Sequence, residues 1–301
     1  PLFNPFQSYF DHLPSWDGVS DPIGDLADTV HVKSDQAEFR DYFRKWFVGI
    51  LPALLDDTVV NHEILVLIGE QGLYKTTWFN FLLPPELRCY FYTKTNSDRL
   101  NKDDLFSLTE FALICFEELD GMRPAELNQL KAMVTMPYVN ERAAYGRNKE
   151  RHPHIASFCG TGNNVQFLTD PTGNRRWLPF EVSQIRDPHL HAIPYELVYS
   201  QAYALWKSGF CHWFSQEEIR KLNMHNSRFE VPNLEEDLIR THFRKPFEGE
   251  AGIFVTAADI LEQISSCLRY PLSPNKIGRI MAGLGVEKIR DKGKRGDVTV
   301  K

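Results

Sequence analysis

The sequence predicts an α/β fold, a parallel sheet flanked by helices, with a small winged-helix-like module at the carboxyl end. Three observations carry this. Glu63-Ile64-Leu65-Val66-Leu67-Ile68-Gly69 is a continuous apolar run ending at glycine, the pattern of a strand buried on both faces. Phe111-Ala112-Leu113-Ile114-Cys115-Phe116 repeats that pattern and ends in two acids, Glu117-Glu118. Ahead of them, Phe39, Phe43, Phe47 and Ile50 recur at helical spacing within Gln36 to Leu51.

The remaining elements follow in order. Thr76 to Leu83 reads as a short helix stopped by Pro84-Pro85. Pro124 to Met136 reads as a helix with proline in its first turn. Tyr138 to Tyr145 and His154 to Phe158 flank the polar turn Gly146-Arg147-Asn148-Lys149-Glu150, which predicts a hairpin running into a third buried strand ending near Thr161. Tyr195 to Ser208 reads as a helix. Met224 to Gly252 is polar, with Glu235-Glu236-Asp237, Pro232 and Pro246, and reads as a linker holding one helix from Asn233 to Phe243. Thr256 to Leu268 and Asn275 to Leu284 read as helices. Val286 to Ile289, a basic turn with Lys292, Lys294 and Arg295, and Asp297 to Val300 then complete a two-stranded wing. The expected domains are a helical segment packed on the core (1–60), the core (61–223), the linker (224–252) and the winged-helix-like module (253–301).

The chain has 301 residues, 43% of them apolar and 25% charged, which suits a globular protein and excludes wholesale disorder. No apolar run approaches a membrane helix, so no membrane partner is expected. The opening Pro1-Leu2-Phe3-Asn4 carries no basic and apolar leader pattern, so no signal peptide is read. Net charge is −6, so a nucleic-acid site must be a local patch. Five cysteines at wide spacing, without a C-x-x-C, exclude a disulfide framework or zinc ribbon and fit a reducing, cytoplasmic setting. The pairs His152/His154 and His189/His191 lack a second ligand cluster and read as surface or core histidines.

Gly69-Glu70-Gln71-Gly72-Leu73-Tyr74-Lys75-Thr76 follows a predicted strand and opens a predicted helix. It fits the phosphate-binding pattern G-x-x-x-x-G-K-[ST] except at Tyr74, where the second glycine belongs. Such a loop aims backbone N–H groups and a helix terminus at phosphates. Lys75 would reach the β and γ oxygens, and Thr76 would ligate Mg²⁺. Gly69, Gln71, Gly72 and Thr77 complete the expected nucleotide contacts. Tyr74 is expected to keep a negative φ, with its ring turned from the nucleotide. About forty residues on, the buried strand delivers Glu117 to the metal and Glu118 to the attacking water, since adjacent acids on an extended chain point to opposite sides.

Further motifs make a resemblance specific. They are Glu118-Leu119, Lys131, Arg142 with Tyr145-Gly146-Arg147, Gly160-Thr161-Gly162-Asn163, and Asp170-Pro171-Thr172-Gly173-Asn174-Arg175-Arg176. In this order they resemble the virulence-associated protein E family, P-loop ATPases related to the superfamily 3 helicases of mobile elements, over roughly residues 4 to 215. The resemblance implies an AAA+-like core, ATP and Mg²⁺ as ligands, and a homo-oligomeric ring, usually a hexamer, with ATP between subunits. It implies that Asn163 orients the attacking water and that Arg175 or Arg176 serves a neighbouring subunit as an arginine finger. It implies that the hairpin grips single-stranded or forked DNA through Arg142, Arg147 and Lys149, with Lys131 a candidate for DNA or interface contact or an ordinary solvated lysine. A primase is a further expected partner. The function so implied is a DNA helicase-type ATPase acting in replication. Two other readings stay open: a nucleotide-gated or inactive P-loop scaffold, and a defence or signalling ATPase that does not unwind DNA.

Overall fold

The computed structural model describes residues 4–95, 102–141, 150–169, 174–232, 234–244, 255–265, 274–284, 286, 288–290 and 298–300. The chain divides into two compact units, Pro1–Val231 and Pro232–Lys301.

The first unit opens with α1 (Pro5–Asp11), α2 (Pro22–Ala27), β1 (Val30–Val32) and α3 (Gln36–Leu55). The side chains of Asn4, Asp21 and Asp35 accept first-turn N–H groups and so start the three helices. The segment 1–60 is thus not purely helical: β1 joins the sheet antiparallel to β8 (Trp177–Ile185). The core elements are β2 (Ile64–Ile68), α4 (Lys75–Leu82), β3 (Phe91–Lys94), α5 (Lys102–Glu110), β4 (Leu113–Phe116), α6 (Pro124–Val134) and β7 (Ser157–Gly162). The unit closes with α7 (Tyr195–Lys207) and α8 (Gln216–Asn226).

The sheet runs β1-β8-β2-β7-β4-β3, and every pairing but that of β1 is parallel. Alternate residues of each strand feed two cores. Leu65, Leu67, Cys115, Cys159, Leu178 and Phe180 pack with α3, α4 and α7. Ile64, Val66, Ile114, Phe116, Phe158 and Trp177 pack with Leu127, Leu130 and Met133 of α6. Burial on both faces is why β2 and β4 read as unbroken apolar runs.

The expected hairpin forms over the described residues. β5 (Tyr138–Glu141) pairs antiparallel with β6 (Glu150–Pro153), Tyr138 opposite Pro153 and Glu141 opposite Glu150. The second arm therefore starts at Glu150, inside the expected turn, and His154 to Phe158 leads out into β7. Arg151 lies over the Tyr138 ring, 3.4 Å from its centroid, which stabilises the arm.

The second unit holds α9 (Leu234–His242), α10 (Ala257–Ser265), α11 (Pro274–Gly283) and the antiparallel pair β9 (Lys288–Arg290) and β10 (Val298–Val300). Its small core joins Ile239, Ile260, Ile264, Ile277 and Met281. The expected linker over 224–252 falls differently. Asn226 and Phe229 are buried in the first unit, while Ile239 of α9 belongs to the core of the second. No helix among the described residues is long and apolar enough to cross a membrane.

Candidate functional site: a phosphate-binding loop at the carboxyl end of the sheet

In open parallel sheets, ligands settle beyond the carboxyl ends of the strands. Here β2, β7 and β4 end side by side, with β7 in the middle. The loop after β2 begins with a tie across that gap, Gly69 N–H donating to Gly162 O at 3.1 Å. A Cβ on Gly69 would meet Val182 O at 2.8 Å, so the start of the loop has room only for glycine. Gly72 turns the loop at φ +89.

Tyr74 then enters α4 at φ 59, ψ 18. This corrects the expectation of a negative φ: the tyrosine adopts the left-handed conformation that the missing glycine would have supplied. The residue is 42% exposed, so its side chain does not fill the loop. No side chain caps α4 and no acid lies in its first turn. The N–H groups of Lys75, Thr76 and Thr77 thus form a helix terminus open to an anion. Gln71 lies in the exposed turn ahead of them.

Lys75 is buried and folds back over the loop. Its Nζ donates to Gly69 O at 2.6 Å, Glu70 O at 2.7 Å and Asn163 Oδ1 at 3.3 Å. Burial lowers its pKa, and the negative charge of Asp120 opposes that. The Thr76 hydroxyl donates to Glu117 Oε1 at 2.8 Å. This joins the two oxygen donors that a Mg²⁺ ion needs on the protein side. An uncapped helix terminus, a lysine among carbonyls and a hydroxyl–carboxylate pair suit a nucleoside triphosphate with its Mg²⁺. Thr76 and Glu117 would hold the metal.

Glu118 also departs from expectation. Its φ is 54, so the chain turns left-handed there instead of continuing extended. The two acids are separated by this turn, and not by strand alternation. Among the described residues, Tyr74 and Glu118 are the two non-glycine residues with positive φ, and they lie on the two loops of this site. Strained backbone of this kind collects at functional sites.

Asp120 is a site residue that the sequence reading missed. It sits in the 3₁₀ turn after Glu118 and accepts the N–H groups of Asn163 at 3.2 Å and Asn164 at 2.9 Å. It thereby fastens the Asn163 loop to the Glu117-Glu118 turn. The signal was available as a third acid in Glu118-Leu119-Asp120.

The arginine pair lies elsewhere. Asn174–Arg176 is a 3₁₀ turn leading into β8, and Trp177 stands opposite Ile64, at the amino end of β2. Five strand residues at roughly 3.3 Å each put the pair on the order of 15 Å from the loop of its own chain. Arg175 is exposed and Arg176 half-buried. Burial and the charge of Arg175 lower the Arg176 pKa, with Glu63 opposing them. The same surroundings act on the neighbouring His62, which burial and Arg176 hold below its ordinary value.

Lys131 is 7% exposed on α6, which argues against the solvated reading. Arg142, Tyr145, Arg147 and Lys149 lie outside the described residues, as do Asp170 to Gly173 and the basic turn with Lys292, Lys294 and Arg295.

The chain is similar in fold to solved structures of the C-terminal region of NrS-1. The apo structure of its residues 305–718 gives a TM-score of 0.53 at 12% identity, covering 97% of this chain and 77% of that one. An A-form apo structure of the same region gives 0.53 at 13% identity with the same coverage. No curated protein matches the chain. A model of the virulence-associated protein E-like domain matches residues 11–231, and the chain belongs to that family.

Proposed function

We propose that this protein is an ATP- and Mg²⁺-dependent hydrolase that works as a ring on DNA during replication of a mobile element. The observation that carries the reading is the convergence at one end of the sheet: Lys75 bonded to Asn163, and Thr76 bonded to Glu117. Three strands that are remote in sequence deliver the groups that phosphoryl transfer to water requires. The family and the AAA+-like motif order support the same reading.

The residues divide the work as follows. Lys75 and the first N–H groups of α4 hold the phosphate oxygens. Mg²⁺, held by Thr76 and Glu117, would neutralise charge on the β and γ phosphates. Glu118 takes a proton from the attacking water as its oxygen bonds to the γ-phosphorus. The bond from that phosphorus to the β,γ-bridging oxygen breaks, leaving ADP and phosphate. Asn163 orients the water. Arg175 and Arg176 lie at the opposite end of the sheet from the site of their own chain, so their assigned role is on the nucleotide of a neighbouring subunit. Such fingers are worth about 10³–10⁵ in rate. DNA contact is assigned to the β5–β6 hairpin, and the small helical unit with its strand pair is a winged-helix-like accessory.

The test is ATP turnover with Mg²⁺, with and without single-stranded DNA, beside Glu118→Gln. Turnover raised by DNA and abolished in the variant supports the motor. Turnover indifferent to DNA replaces the motor with a signalling or defence ATPase. Nucleotide binding without turnover favours the gated scaffold.

A further inference from the structure

The arginine pair is held by a part of the chain about fifty residues away, and by one amide in particular. Asn226, at the carboxyl end of α8, is fully buried, with 0% exposure. Its Nδ2 donates to Asn174 O at 2.7 Å and to Trp177 O at 3.0 Å. These two carbonyls lie immediately before and immediately after Arg175-Arg176. One side chain thus clips both ends of the short turn that carries the pair.

The neighbours of Asn226 extend the clip. Asn174 is 3% exposed and donates from Nδ2 to Glu230 Oε1 at 2.8 Å. The N–H groups of Phe167 and Leu168 both donate to Phe229 O at 3.0 Å, and Val231 N–H donates to Leu168 O at 2.8 Å. Residues 226–231 therefore brace the chain on both sides of the segment leading to the arginines. α8 is itself anchored one residue earlier. His225 bonds Glu38 of α3 at 2.9 Å through Nδ1 and Pro179 O of β8 at 2.7 Å through Nε2. A finger must meet a phosphate on another subunit, and an error of about 1 Å in such placement can lower rate about 10²-fold. The buried amides of Asn226 and Asn174 supply that rigidity beside the exposed Arg175.

We infer that Asn226 is a positioning residue that sets the Arg175-Arg176 turn for use on a neighbouring subunit, with Glu230 as its second support. This inference rests on the proposed action of the arginines in trans. It makes a prediction that a purely structural role does not make. Loss of Asn226 damages the side of a subunit that gives the finger and spares the side that binds ATP.

Subunit mixing reads this directly. Asn226→Ala alone should lower kcat on the order of 10²-fold with KM for ATP unchanged. Mixed with an equal amount of Glu118→Gln, it should regain turnover, because Glu118→Gln subunits supply intact fingers to intact Asn226→Ala sites. With random head-to-tail assembly about one interface in four pairs in that way, so about a quarter of wild-type turnover should return. Mixed with the double variant Arg175→Ala/Arg176→Ala, it should regain nothing. Glu230→Ala, at a half-buried position that tolerates truncation, should show the same pattern with a smaller defect.

The reading in trans is checked first, by mixing Arg175→Ala/Arg176→Ala with Glu118→Gln. Failure of that pair to recover overturns the reading in trans and the inference with it. If that pair recovers but neither Asn226→Ala nor Glu230→Ala is rescued by Glu118→Gln, the inference alone falls. It falls equally if both variants turn over like the wild type.

Discussion

Tyr74 stands where a phosphate-binding loop has glycine, and its φ of 59 makes a sharp prediction about substitution. A side chain in the left-handed region costs roughly 1–2 kcal/mol. Tyr74→Gly and Tyr74→Ala lose the same ring from an exposed position. They differ in two terms: glycine relieves the left-handed strain, and it adds about 0.5–1 kcal/mol of unfolded-state freedom relative to alanine. The balance makes Tyr74→Gly more stable than Tyr74→Ala by about 0.5–1 kcal/mol, or roughly 1–4 °C in Tm for a unit of this size. At an ordinary helical position the order is reversed. Asn tolerates the left-handed region and Ser does not, so Tyr74→Asn should group with glycine and Tyr74→Ser with alanine. Thermal melts of the four variants test the ranking. Alanine equal to or above glycine refutes the account of the loop. The same account says that ATP affinity survives in Tyr74→Gly, because the backbone shape is unchanged. Loss of affinity in that variant would mean that the tyrosine ring contacts the nucleotide or gates it.

Other predictions follow from neighbouring residues. Asp120→Asn keeps the shape but removes the charge that fastens the Asn163 loop, so stability should fall by about 1 kcal/mol and kcat should fall while KM for ATP holds; unaltered kcat would remove Asp120 from the site. The surroundings of Glu63 push its carboxyl up to about 7. Its unfolded value is near 4.3, so the unfolded chain ionises first as pH rises, and native stability falls between about pH 4.3 and 7. Glu63→Gln should therefore stabilise at about pH 8, by up to about 2 kcal/mol after allowance for solvent, and do nothing at about pH 4. Equal effects at both pH values in denaturant titrations would contradict it. Lys94 and Asp104 form a buried pair at 2.6 Å beside the Glu117 loop. Asp104→Ala should cost about 3–5 kcal/mol, and Lys94→Met in addition should recover a large part, because the first change strands a buried charge. A double variant no more stable than the single one would show that the pair is not the source.

β2 and β4 were legible because two-sided burial writes them as apolar runs. β7, Ser157-Phe158-Cys159-Gly160-Thr161-Gly162, has no such run and was legible only from the hairpin that leads into it. β8 shows no run either, although its first five residues pair with the whole of β2. Pro179, Glu181 and Ser183 interrupt it, and proline argues against a central strand. The structure resolves this, for β1 covers only Val182 to Ile185 of β8, and Pro179 O bonds His225 of α8 instead. β3 is half-buried at the sheet edge and shows no run. α8 is polar overall, yet its start was encoded as the capping box Ser215 with Glu218. At the site, Lys75, Thr76 and Glu117 were legible because their chemistry fixes their spacing. The left-handed turns at Tyr74 and Glu118 were not, since neither residue type favours them. Asn226 and Glu230 carry no local signal at all, because their role exists only once β8 and α8 are packed together.

Binding and hydrolysis of ATP at the loop after β2 can be measured with Mg²⁺-ATP in the wild type, Lys75→Ala and Glu118→Gln. Lys75→Ala should lose both, and Glu118→Gln should bind as the wild type does while turnover falls by about 10²–10⁴. Wild-type turnover in Lys75→Ala would contradict hydrolysis at that loop.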